Sequence, residues 1–147
     1  MSEAMMRDLQ LSGLDPRDLD ARPIDGPERS VANVGAAIDG FVIPYFRMDG
    51  GRLPFYRVRL FDSFPKYKQP KNTSNHLYYP PNFPKTLAAS ISRGDHFIIL
   101  TEGEKKAAAI AKLGYAAVAV SGVDSWRNKT MTLPQGTELL PGTKEGS

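Results

Sequence analysis

The chain has 147 residues, 41% hydrophobic and 24% charged, with no cysteine and a net charge of +3. That leaves no disulfide, no thiolate metal site, no apolar run near the roughly 20 residues of a membrane helix and no secretory-signal layout at Met1 to Asp8, which fits a cytoplasmic protein. The charge is uneven: residues 1–30 carry net −3, residues 31–100 net +5 and residues 101–147 net +1, so a basic middle suited to a polyanion lies between less basic flanks.

Residues 1–39 read as a polar lead-in, one short helix followed by a loop. Asp15-Pro16 has the form of a helix start, with Asp as cap and Pro in the first turn. Pro23, Gly26 and Pro27 break anything longer.

Residues 40–96 read as a basic, β-rich segment. Phe41 to Phe46 is β-branched and aromatic, as strands prefer. Pro44 makes that strand an edge or a bulge, since proline donates nothing to a ladder. Met48-Asp49-Gly50-Gly51 is a turn, and Leu53 to Phe61 returns. On the returning strand Tyr56, Val58 and Leu60 are expected to face the core, leaving Arg57 and Arg59 side by side on an open face. Residues 62–96 hold Pro65, Pro70, Pro80, Pro81 and Pro84 and read as loop, with a short strand at Leu77-Tyr78-Tyr79.

Residues 97–127 carry the clearest α/β signal. Phe97 to Leu100 is a buried strand, Lys105 to Leu113 a helix ended by Gly114, and Ala117 to Val120 a second strand. Together they predict a parallel βαβ unit. Residues 128–147 are rich in Gly, Pro and Thr and read as a flexible tail. Trp126, the sole tryptophan, is expected to be a packing anchor.

Chemistry gathers at two places. Glu102 ends the first strand of the βαβ unit, the edge where open α/β sheets place their sites. A carboxylate there binds a divalent cation or trades protons, or else Thr101 to Glu104 caps the following helix. Gly103 permits close approach, and the helix N-terminus behind it favours anions. Lys105 and Lys106, in the first helical turn, either hold phosphate or are ordinary surface lysines. The second place is Arg57, Arg59, Lys66, Tyr67 and Lys68. These are cations for phosphates and an aromatic for stacking on a base, or else one solvated face.

Taken in order, these pieces resemble the catalytic core of bacterial and phage-type DNA primases. Gly40 to Phe46 with Asp49-Gly50 is similar to the family's opening hairpin, and Tyr56-Arg57-Val58-Arg59-Leu60 to its basic strand. Lys66-Tyr67-Lys68-Gln69-Pro70 is similar to its Lys-Tyr element and Leu77-Tyr78 to its later Leu-Tyr. Ile98 to Glu104 resembles the first Toprim motif, and Ala119 to Val123, with Gly122, the strand and glycine turn after it. The Thr-Glu-Gly-Glu-Lys-Lys-Ala wording and Ser12-Gly13-Leu14 resemble the Toprim-like domain at the front of phage and plasmid replication proteins, often primase–helicase polypeptides.

The resemblance implies a partial Toprim fold and a setting in DNA replication. It gives Glu102 the part of Mg²⁺ ligand or acid/base in phosphodiester chemistry. Arg57, Arg59, Lys66 and Lys68 would grip template or nucleotide phosphates, with single-stranded DNA or nucleotides and a replicative helicase as partners. Lys106 stands where many Toprim proteins carry an acid, and no Asp-x-Asp follows Trp126. The chain therefore reads as cut before its second metal-binding motif and unable to polymerise. The alternative is a non-catalytic module that binds single strands or docks a partner.

Overall fold

The computed structural model describes residues 2–120 together with residues 131 and 132. Among them lie four α-helices and two four-stranded sheets. The lead-in is more structured than one helix. Helix α1 (Glu3–Leu11) begins where the Ser2 hydroxyl accepts from the Met5 amide at 3.2 Å, and it buries Met5 and Leu9. A 3₁₀ turn, Pro16–Asp18, and helix α2 (Gly26–Val31) each open on a capping box, Asp15 with Asp18 and Asp25 with Glu28. Both carry proline in the first turn, where its missing N–H costs nothing. Pro27 thus starts a helix rather than breaking one.

The first sheet is antiparallel throughout, in the order β1 (Arg22–Pro23), β2 (Gly40–Phe46), β3 (Arg52–Leu60), β4 (Tyr67–Lys68). The expected hairpin is present. Its turn closes through the Arg47 amide on the Gly51 carbonyl at 2.7 Å, and the Asp49 carboxylate accepts from the Gly51 amide at 2.9 Å. Register slips between Pro44 and Phe46, a bulge at the expected residue. β1 pairs only with Phe41 and Val42, so Pro44 lies beyond its reach.

This sheet is covered on both faces. Val42, Val58 and Leu60 pack with Ala32 and Val34, which follow α2. Phe41, Ile43, Tyr45 and Phe55 pack with Met5 and Leu9 of α1 and with Ala107 and Ala108. Arg59 pairs with Phe41 and Arg57 with Ile43 in register, so both arginines point toward the larger core. The expected open face is closed, and Tyr56, Val58 and Leu60 serve the smaller of two cores.

The second sheet runs β6 (Ile99–Glu102), β7 (Ala117–Val120), β5 (Asn75–Tyr78), β8 (Met131–Thr132). β6 and β7 are parallel, and helix α4 (Glu104–Lys112) connects them. β5 is antiparallel to β7 and parallel to β8. Helix α3 (Phe83–Arg93) falls where loop was expected. Pro84 sits in its first turn, and Gly94 closes it at φ 81°. α3 sets Phe83 against Leu77, Tyr79, Ala116 and Val118.

The outer edge of β6 has no partner strand among the described residues, and Ile98 and Leu100 beside it are exposed. No helix among the described residues is long and apolar enough to cross a membrane.

Candidate functional site

Glu102 is the last residue of β6 and is exposed. The strand lies two residues later than expected, so the carboxylate ends the strand itself. The Gly103 amide donates to the Val120 carbonyl at 3.0 Å, which ties this turn to the end of β7. Gly103 is the cap of α4, at φ 80° and ψ 144°, and no side chain caps the helix. Thr101 therefore does not play the capping part open to it in the sequence. The first amides of α4 and the Glu102 carboxylate share this turn. Lys106, one residue past Lys105, is exposed.

Glu104, the first residue of α4, is 2% exposed. Its carboxylate accepts from the Tyr45 hydroxyl at 2.8 Å and from Arg57 Nη1 at 3.2 Å. A helix N-terminus favours an anion, and a buried anion needs a cation and a donor. β2 and β3 supply both. Burial works to lower the Arg57 pKa, but the charge of Glu104 and its bond, together with Tyr45, outweigh it and raise the value.

A second cluster lies next to this one. Asp8, from α1, takes Arg59 Nη2 at 3.3 Å on one oxygen and Lys105 Nζ at 3.0 Å on the other. Lys105 would otherwise oppose the helix dipole, and Asp8 offsets it. Tyr67 lies beneath both arginines, with the Arg57 and Arg59 guanidinium carbons 4.8 and 5.6 Å from its ring centre. Burial foremost, then the charge of Glu104, pushes the Tyr67 phenol up to about 12.

The structure thus brings Arg57, Arg59, Tyr67 and Lys105 together, but as one internal network. The two arginine side chains are 13% and 15% exposed, each on a carboxylate. Lys66 stands apart and exposed, and the Lys68 ammonium donates to the Asn33 carbonyl at 2.9 Å. Glu102, Gly103 and Lys106 form a separate, outward-facing group. Gly122 and Trp126 lie outside the described residues.

A family described as a domain of unknown function (DUF3854) matches residues 91–144. The matched stretch takes in the end of α3, then β6, α4, β7 and β8. No curated protein matches the chain, and no solved structure does.

Three residues of this site carried no such role in the sequence: Glu104, Tyr45 and Asp8. For Glu104 a signal existed, an acid at the position where a helix dipole rewards one. Tyr45 lies 59 residues from Glu104 and Asp8 97 residues from Lys105 in sequence, and no local pattern marks either pairing. Among the described residues no three His, Asp or Glu side chains form a group able to hold a metal ion.

Proposed function

We propose that this chain is a nucleic-acid-binding, Toprim- or primase-like domain of a DNA replication protein from a mobile element. The observation that carries the reading is the exposed carboxylate of Glu102 at the carboxyl end of a parallel strand, beside a glycine turn and an uncapped helix N-terminus. A phosphate fits the amides, and a carboxylate beside it fits phosphodiester chemistry. The net charge of +5 in residues 31–100 suits the same polyanion.

Mg²⁺ is the ion this reading implies. It is commonly held by one or two carboxylates together with substrate phosphates. With Glu102 alone at this turn, the described residues do not make that site by themselves. A further carboxylate would have to stand beside Glu102, and β7 already fills one flank of β6. The other flank is the open edge of β6, where a strand parallel to β6 would bring its own carboxyl end next to Glu102.

The second reading, a non-catalytic single-strand-binding or partner-docking module, is favoured by one observation. Arg57, Arg59 and Lys105 are spent on internal carboxylates.

The test is a titration of labelled oligothymidylate by fluorescence anisotropy from about 50 to about 200 mM salt, with and without Mg²⁺. Binding that weakens with salt is expected, and a Mg²⁺-dependent gain that Glu102→Ala removes favours the catalytic reading. Binding identical in both proteins under all conditions favours the module, and no binding at low salt refutes nucleic-acid recognition.

A further inference from the structure

The β3–β4 loop holds aromatics that turn inward and one that does not. Phe61 packs 5.9 Å from the Phe41 ring and lies under Arg59 at 4.9 Å. Tyr67 is the ring beneath Arg57 and Arg59. Phe64, between them, is 96% exposed, more than any other large apolar residue among the described ones.

The loop that presents it is pinned at its base. The Leu60 amide donates to the Lys66 carbonyl at 2.7 Å. Arg59 pairs with Tyr67 and Val58 with Lys68 across the two strands, and Lys68 is tied to Asn33. The ring therefore projects from an anchored support, which lowers the ordering cost of a contact made there.

The charge beside it is one-sided. Residues 61–71 contain three lysines and one aspartate. Lys66 and Lys71 are exposed and take part in no ion pair among the described residues. An outward aromatic two residues from the unpaired ammonium of Lys66 matches an unpaired base next to its phosphate.

We propose that Phe64 and Lys66 form a contact point for single-stranded nucleic acid, the ring stacking on a base and the ammonium on an adjoining phosphate. This rests on the nucleic-acid reading above and assigns it to a face other than that of Arg57 and Arg59, which is turned inward. A lysine-flanked ring also suits an anionic membrane, but membrane binding grows with buried apolar area. Asp62 and Ser63 leave this tip only one ring and a proline.

The experiment compares wild type, Phe64→Ala, Phe64→Trp and Lys66→Ala on oligothymidylate of about 16 nucleotides, on its abasic counterpart and on phosphatidylserine vesicles. Wild type is expected to prefer the intact strand. Phe64→Ala is expected to lose about 5- to 150-fold in affinity and the preference with it, while its thermal unfolding stays that of wild type. Phe64→Trp keeps both, and its emission is quenched by the strand beyond what Trp126 gives in wild type. Lys66→Ala lowers the salt slope by about 1 without changing the preference.

Full affinity and full preference in Phe64→Ala overturn the contact and leave nucleic-acid binding standing. A wild type that binds neither strand takes both readings down. A Phe64→Ala loss confined to phosphatidylserine vesicles overturns the proposal in favour of a lipid surface.

Discussion

Arg57 of β3 and Glu104 of α4 meet at 3.2 Å inside the protein, 47 residues apart in sequence. Arg57 lies on the first sheet, and Glu104 opens the helix that packs on the second. Removing one partner leaves the other charged and buried. Arg57→Ala is expected to cost about 3–5 kcal/mol, measured by urea unfolding. Replacing both with apolar side chains of similar volume is expected to cost clearly less, because no orphan charge remains. Equal losses in the single and double variants would count against the pair.

Asp8 has two cations, so its loss has two consequences of opposite sign. Asp8→Asn is expected to lower stability by about 1–3 kcal/mol. It also frees Arg59 and Lys105, each held within 3.3 Å of its oxygens. Affinity for oligothymidylate, read by anisotropy, is expected to rise in the same variant.

Tyr67 supplies a pH dependence. Its folded pKa of about 12 exceeds the ordinary value near 10, so the folded protein holds the phenolic proton more tightly than the unfolded chain. The stability it contributes is complete below about pH 10 and is lost as pH rises toward 12. Near-ultraviolet phenolate absorbance should show one fewer late-titrating tyrosine in Tyr67→Phe, with Tyr78 still late because burial raises it. The same variant should lose less stability across this window.

Gly40 and Gly103 are each needed, for different reasons. A side chain at Gly40 would run into the Arg59 carbonyl across the strand pair, whereas nothing lies within 4 Å of where one would sit at Gly103. At Gly103 the obstacle is conformation, φ 80° with ψ 144°, close to a region that only glycine favours. Alanine and serine at 103 should therefore cost alike, about 1–3 kcal/mol. At 40 the loss should grow from alanine to valine. Thermal unfolding of the four variants checks the contrast.

Several features were legible in the residues. The hairpin followed from Asp49-Gly50 and the β-branched runs, and the β6-α4-β7 unit from the apolar run into Glu102-Gly103, although Phe97, Ile98 and Leu100 are exposed and not buried as expected. α3 was hidden by its own prolines. Pro80, Pro81 and Pro84 read as breakers, although Pro84 starts a helix that Gly94 ends. The alternation along β3 matches its two faces, but alternation does not tell an open face from a covered one, and here both are covered. The Glu104 network needed three distant segments at once. Tyr67, the expected stacking aromatic, is enclosed by the same arginines that made its neighbourhood look basic.

The clasp of Asp8 on Lys105 spans 97 residues, and this bears on how the chain is made. At about 5–20 residues per second, Asp8 is synthesised roughly 5–20 seconds before Lys105. Within that interval Arg57, once made, is also without Glu104, so a charged inner surface waits for α4. A nascent chain stalled before residue 104 should hold this surface open to water, to chaperones and to any passing polyanion.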